Sequence, residues 1–587
     1  MHSAPSGPLP HACWQSGNTA QINETTVGGV LRATAFKFPG RTALVFGGRR
    51  WSYADLLAEA EDGARALLTS FDPGDVVAVW AENRAEWVTL EFAAGLSGLT
   101  LIPIHPSASI AEITYALSHS GAKGIFIATN GGDSSRAVIL RSLAYQLPAL
   151  KCVISLSEWD ALRAIGSPDL PWSVSSLPEV DPGRPAQILY TSGTTGRPKA
   201  TLLTHRALTN NARLAATALG AGDGDVVVNP MPLSTVGGCG LLTLGIAQIG
   251  GTHVLMPKFD PAAQLSLIEE HRGTLLCGDP EMLAVMGDHG TFKIRNLSSV
   301  RAVISGGAPL PPDLALRIET ALGVPVLTTF AQTECGAITA TTPQDTLADR
   351  LGGVGRPLPG AEVKVADLRT GAVADCGVTG EICVRGYQVM RGYLDDPAAT
   401  AAAIDSDGWL RTGDLGAMDE RGYLRVAGRL RELIVRGGQH VYPREIERVL
   451  LEHPDVAEAA VVGVQDRFWG ETVAAVVRLG SSLERATSTL SEYCGTRLAP
   501  HKVPVRWLLT RQFPRTADGK IRKHVLSAGF ADTSGLPWTS ETAAELAAHL
   551  AVHHDDPPDL TGSAAELFGP RVPRQERRAK ALEDIDR

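Results

Sequence analysis

The stretch Tyr190–Ala200, YTSGTTGRPKA, places Ser192, Gly193, Thr194, Thr195 and Gly196 ahead of Lys199 and follows the apolar run QIL. Glycines let backbone N–H groups turn toward an anion, hydroxyls add donors, and a lysine supplies a point charge suited to polyphosphate. The loop is not of the Walker type: Pro198 precedes the lysine, and no Ser or Thr follows it to reach Mg²⁺. On its own such a loop reads as plain turn at least as readily as a phosphate cradle, so the rest of the chain must decide.

Working outward, short apolar runs alternate with helical stretches on both sides of this loop: TALVF, VVAVWA, LIPIHP and GIFIA before it, TLLCG and VRAVISG after it. That alternation predicts parallel sheet with helical crossovers. From Glu362 to Val426 the runs shorten and are parted by Gly, Asp and Pro at turn spacing, predicting a β-rich subdomain. From Leu430 the texture returns to mixed α and β, with a helix opening at Pro443. The expected architecture is an α/β chain: a leader over 1–24, a large multi-subdomain N-terminal domain over 25–429 with mixed and parallel sheets, a small separate α+β domain over 430–530, and a flexible tail over 531–587. One helix is expected over Trp51–Leu68.

Composition narrows the function classes. The 587 residues carry 54 basic against 63 acidic side chains, a net charge of -9 without a basic cluster in the bulk of the chain, which argues against nucleic acid as the main partner. The eight cysteines show no Cys-x-x-Cys pair or zinc-like spacing, which fits a reducing compartment. No apolar run reaches the roughly 18 residues of a membrane span, and the start lacks the pattern of a secretion signal. A cytoplasmic location is the expectation. The 61 Gly and 37 Pro against 5% aromatics call for loops or backbone-built sites.

Seven further motifs stand in order after the loop: SGGAPL (305–310), FAQTE (330–334), VGRPLPG (354–360), GYLDDPAAT (392–400), DGWLRTGDLG (407–416), GRLRELIVRGGQHVYPREIE (428–447) and PRTADGKIRK (514–523). Together with YTSGTTGRPK they resemble the signature of the acyl-adenylate-forming superfamily, over roughly residues 25–528. The resemblance implies an AMP-forming acyl-CoA ligase, in which a carboxylate attacks the α-phosphate of Mg·ATP and a thiol then displaces AMP from the acyl-AMP intermediate.

Carried over motif by motif, the resemblance implies the following roles. Thr191, Ser192, Gly193, Thr194, Thr195, Gly196 and Lys199 hold the β- and γ-phosphates. Glu334 carries Mg²⁺, a cation that prefers hard oxygen ligands, and Thr333 donates to the α-phosphate. Gly306, Gly307, Ala308, Phe330, Ala331 and Gln332 surround the nucleotide, with the Phe330 ring facing adenine. Asp414 accepts from the ribose hydroxyls and Arg429 supports it. Lys520 reaches between carboxylate and α-phosphate, Arg431 is the hinge of the mobile domain, and Gly437 and Gly438 face the coenzyme A tunnel.

The chain departs from the family pattern at Ala200 and Ala331, where Gly is usual, and at PLSTVGG (232–238), where Ser234 and Thr235 replace an aromatic and a histidine. Ser234, Thr235, Val236, Gly237 and Gly307 are therefore expected to border an open acyl pocket that takes a bulky apolar acid, cyclic or polycyclic acids included. Two alternatives accompany this reading. In one, adenylation is weak and the enzyme serves chiefly to transfer the acyl group from acyl-AMP to CoA, releasing AMP. In the other, the thiol belongs to a carrier protein acting in trans.

Overall fold

The computed structural model describes residues 8–15, 21–128, 135–170, 176–191, 198–466, 468–480, 486–516 and 519–532. The expected tail beyond 532 lies outside them. Three sheets build the larger part of the chain. The first has nine strands, and six neighbours run parallel at its centre: Val326–Gln332, Ala302–Gly306, Leu275–Cys277, Val226–Asn229, Thr252–Leu255 and Thr42–Phe46. The second has seven strands, with Pro185–Thr191 lying between the parallel strand Thr100–Ile104 and the antiparallel Lys199–Thr204. The near-continuous apolar runs of the sequence are the parallel strands, buried on both faces by helices.

The third sheet is the expected β-rich subdomain. Ala361–Ala366, Gly380–Gly386, Leu410–Met418 and Leu424–Arg429 form an antiparallel meander. A fifth strand, Cys13–Trp14, comes from the expected leader and pairs with Ala361–Ala366. Leu9, Ala12 and Trp14 are buried there, so residues 8–15 are part of this subdomain's packing rather than a detached segment. Burial of these three side chains offsets part of the entropy of ordering the run, and backbone bonds from Leu9 N to Glu420 O, Ala12 N to Ala374 O and Val365 N to Ala12 O add to it.

The C-terminal domain is a separate sheet, Gln439–Val441, Ile434–Arg436, Gly470–Leu479 and Val456–Asp466, with Arg506–Leu509 running parallel to Gly470–Leu479. Its helices Pro443–Leu451 and Lys523–Asp532 pack on the long strand Val456–Asp466. A single turn of 3₁₀ helix, Leu430–Glu432, joins it to the third sheet.

The helix expected from Trp51 begins at Tyr53 instead. Arg49–Ser52 is a strand antiparallel to Thr42–Phe46, and Ser52 closes a capping box with Asp55. The reciprocal side-chain bonds fix the helix start at the residue after Ser52. Trp51 is buried, with its indole N–H donating to Glu59 at 3.1 Å.

Candidate active site

The C-terminal ends of the parallel strands, the third sheet and the small domain enclose one cavity of about 3330 Å³. A single small molecule usually occupies about 300–1,000 Å³, so this space accommodates several ligands at once. Its wall includes Thr191, Lys199, Gly306, Gly307, Ala308, Ala331, Gln332, Thr333, Glu334, Arg429, Arg431, Gly437, Gly438 and Lys520. Residues expected from five separated motifs thus converge on one space. The cradle residues Ser192, Gly193, Thr194, Thr195 and Gly196 lie outside the described residues. Phe330 is half-buried and packs on the main core, while its neighbours Thr329 and Ala331 line the cavity.

Asp414 lies just behind the wall, almost fully buried at 4% exposure. The Arg429 Nε–Asp414 Oδ1 distance is 3.1 Å, and Gln332 Nε2 donates to Oδ2 at 2.5 Å. Burial raises this carboxyl above its ordinary value, against the opposing pull of Arg429, Gln332, Arg444 and Arg431. The strand pairing sets Asp414 directly opposite Arg429. Two motifs some fifteen residues apart in the chain therefore act as one group.

Glu334 is tied to a residue, Tyr393, for which the motifs imply no role. The Tyr393 hydroxyl donates to Glu334 Oε1 at 3.0 Å, and Lys199 Nζ stands 4.8 Å from the centroid of the same ring. Burial first, and the Glu334 charge second, push the Tyr393 phenol well up, so it stays a neutral donor. Tyr393 is the one aromatic in GYLDDPAAT, and that was the available signal. Glu334 faces the cavity and has no cationic partner within salt-bridge distance among the described residues. Its hard carboxylate oxygens suit Mg²⁺, which takes one or two protein carboxylates and completes its shell with water and phosphate. No cluster of three or more His, Cys, Asp or Glu exists among the described residues that could cage a metal without such help.

Another part of the wall is built differently. Ala212, Ala215, Ala216 and Leu219 face the cavity from the helix His205–Ala218 and the residue after it. Their spacing is one helix face, and it runs for about 10 Å. Opposite stand Leu241, Leu242, Ile246 and Ile249, with Val227, Leu275 and Ile304 from the first sheet as floor. This makes an apolar sleeve in the same cavity. Sequence periodicity cannot show which face of a buried helix lines a cavity, and the sleeve was not foreseen.

Val236–Thr243 winds as a π-helix, a rare form that clusters at functional sites. A Cβ on Gly238 would come within 2.1 Å of Pro232 O, so only glycine fits where the coil doubles back. Thr235 starts the coil: its hydroxyl donates to Pro232 O at 2.9 Å and accepts from Gly238 N at 3.2 Å. Asn83 fixes the preceding turn by bonds to Met231 O and Leu233 N, at 2.9 and 2.8 Å. Ser234, Thr235, Val236 and Gly237 all reach the cavity wall. Ala200, by contrast, directs its methyl into the core of the second sheet and is 1% exposed. The departure from Gly there is absorbed by packing.

The junction of the domains is compact. Leu433 N bonds back to Arg429 O at 3.1 Å, and Arg431 is held in the turn between them. Immediately after it, Glu432 receives Lys523 Nζ at 2.7 Å, and Lys523 also meets Glu447 at 2.8 Å. The chain is thus clasped to the small domain from residue 432 onward, which leaves Arg431 as the last position not committed to it. In the small domain Gly437 has φ +55°, and a Cβ there would meet the Trp469 ring at 2.8 Å. Lys520 lies on the cavity wall in a turn closed by Thr516 N donating to Lys520 O at 2.8 Å.

Comparison with known proteins agrees with this geometry. The sequence models for "AMP-binding enzyme" and "AMP-binding enzyme C-terminal domain" match residues 31–394 and 445–520. A putative acyl-CoA synthetase of Bacillus subtilis, YngI, is 34% identical over 537 residues, covering 86% of this chain and 97% of its own. The 3-[(3aS,4S,7aS)-7a-methyl-1,5-dioxo-octahydro-1H-inden-4-yl]propanoyl:CoA ligase of Mycobacterium tuberculosis is 35% identical over 511 residues, covering 85% and 97%. Among solved structures, the o-succinylbenzoate CoA synthetase of Bacillus subtilis in complex with its acyl-adenylate intermediate superposes with a TM-score of 0.75 at 29% identity, covering 86% and 98%. No helix among the described residues is long and apolar enough to cross a membrane.

Proposed function

The chain belongs to the family of AMP-binding enzymes and is an AMP-forming acid–thiol ligase, and from that premise we propose that it converts a bulky apolar carboxylic acid to its coenzyme A thioester through an acyl-AMP intermediate. The observation that carries the reading is the single cavity in which Lys199, Glu334, Arg429, Gly437 and Lys520 share a wall with an apolar sleeve.

In the first half-reaction Lys199 and the backbone around it hold the β- and γ-phosphates, Thr333 donates to the α-phosphate, and Gly306, Gly307 and Ala308 leave room for the adenine. Asp414 accepts from the ribose, with Arg429 and Gln332 fixing its carboxylate. Glu334 would hold Mg²⁺, which when bound neutralises phosphate charge. Lys520 approaches the carboxylate and the α-phosphate and stabilises the negative charge that develops there, a role best filled by a group already in place. Turning about Arg431 then exchanges Lys520 for the Gly437–Gly438 turn. A side chain at 437 would fill the space beside Trp469 that the pantetheine arm would need.

Acid selection falls to the sleeve. It offers apolar surface and no charged side chain along the helix face Ala212–Leu219, and Ser234 and Thr235 leave its mouth free of an aromatic gate. The relative from Mycobacterium tuberculosis, named for a bicyclic propanoate, supports a ring-bearing acid here. With the Ala200 methyl housed in the core, nothing at that position obstructs adenylation.

The test is a panel of carboxylic acids with ATP, Mg²⁺ and CoA, reading acyl-CoA by mass, alongside acid-dependent pyrophosphate exchange. Ring-bearing or long apolar acids should give both signals and short acids little of either. Exchange without turnover on free CoA, relieved by a phosphopantetheinyl carrier, would move the thiol to a carrier protein. Turnover of supplied acyl-AMP with no exchange would limit the enzyme to the second half-reaction.

A further inference from the structure

The segment Met390–Leu394 reaches both ends of the phosphate side. Gly392 and Tyr393 pair with Leu202 and Thr201 on the strand that leaves the cradle, and the amides of Arg391 and Leu394 add bonds to Leu202 O and Ala200 O at 2.9 and 2.8 Å. In the other direction Met390 N donates to Glu334 O at 2.8 Å, and the Tyr393 hydroxyl donates to Glu334 Oε1 at 3.0 Å. Lys199 Nζ lies over the face of the same ring, 4.8 Å from its centroid. One side chain therefore holds a cation on its π-face and an anion at its hydroxyl.

Lys199 and Glu334 carry opposite charges and face one half-enclosed cavity. In such a place their attraction is far stronger than in water, and a direct pair would occupy the ammonium meant for phosphate and the carboxylate meant for the metal. No such pair forms among the described residues; the Tyr393 ring satisfies the cation and its hydroxyl orients the anion. We propose that Tyr393 is a positioning residue that acts as a spacer, keeping Lys199 and Glu334 apart and each aimed at Mg·ATP. The proposal rests on the nucleotide reading given above.

Calorimetric binding of ATP with and without Mg²⁺, and of AMP, tests it without turnover. Tyr393→Phe keeps the ring and loses the hydroxyl, so Mg·ATP affinity should fall about tenfold while metal-free ATP and AMP stay within about twofold. Tyr393→Leu also removes the ring and lets Lys199 collapse onto Glu334, so ATP should weaken about 30-fold or more with or without metal, again sparing AMP, which has no β- or γ-phosphate. Adding Glu334→Gln to Tyr393→Leu should restore metal-free ATP binding, because the lysine then has no anion to pair with. Variants that weaken AMP as much as ATP, a Tyr393→Phe that leaves Mg·ATP untouched, or a failure of Glu334→Gln to rescue would each overturn the spacer. Wild-type protein that binds AMP and ATP but gains nothing from Mg²⁺ would overturn the metal role of Glu334, and with it the spacer; wild-type protein that binds no nucleotide would sink the earlier reading itself.

Discussion

In the part of the cavity proposed for the nucleotide, both carboxylates meet partners from other elements: Asp414 meets Arg429 and Gln332, and Glu334 meets Tyr393. In the part proposed for the acid the wall is a helix face of Ala212, Ala215, Ala216 and Leu219 over a sheet floor of Val227, Leu275 and Ile304. The first is held by directional bonds that break one at a time. The second is held by packing and yields gradually to changes of volume. Chemistry that is common to a family can be fixed by the former, while the choice of acid can drift through the latter without disturbing it.

The sharpest way to break that comparison is Lys520→Ala. If the polar side carries the chemistry, acid-dependent pyrophosphate exchange should drop about a thousandfold, while thioester formation from supplied acyl-AMP falls far less. Equal loss in both assays would make Lys520 a general structural element. Gly437→Leu should give the opposite pattern, with exchange retained and acyl transfer to CoA reduced about a hundredfold; loss of exchange instead would place the turn on the nucleotide path.

Filling the sleeve tests the other half. Ala216→Phe should lower kcat/KM for large acids about 30-fold and leave short acids and the KM for ATP unchanged. This variant is cleaner than a substitution at Thr235, whose hydroxyl organises the π-helix. A parallel loss for short acids would place Ala216 away from the acyl chain. The smallest effect concerns pH. If Asp414 accepts the ribose hydroxyls, as proposed, it does so as the carboxylate, and burial raises that carboxyl, so AMP affinity should fall on acidification at a higher pH than an exposed aspartate would dictate. Arg429→Gln removes the main opposing charge, raises the carboxyl further, and should move this acid limb upward while weakening AMP binding about threefold to tenfold. An unmoved limb in a titration of AMP affinity would show that another group controls it.

The motif residues around Lys199, Glu334 and Asp414 were legible in the sequence because they form strings of Gly, Thr and Asp at fixed spacing, and the structure brings these strings, at strand ends and turns, to one cavity. Alternating apolar runs likewise indicated the parallel sheets and the β-rich subdomain. What stayed hidden depends on tertiary partners. Tyr393 looks like any strand aromatic until Lys199 and Glu334 are brought to it. The face Ala212–Leu219 has the same periodicity as a face packed on solid core. Thr235 suggested an opened gate, whereas its hydroxyl also begins the π-helix, which no period in the sequence announces.

The strand Cys13–Trp14 lies at the outer edge of the sheet that carries Asp414 and Arg429, with Trp14 so close to Gly422 that a Cβ there would meet its ring at 2.3 Å. An outer strand of two residues is too short to template a further chain, and so it seals the sheet against edge-to-edge association. Trimming the protein to its family-matched boundary at residue 31 would uncover the Ala361–Ala366 edge and a tryptophan-sized hollow, and should raise its tendency to self-associate relative to the full chain.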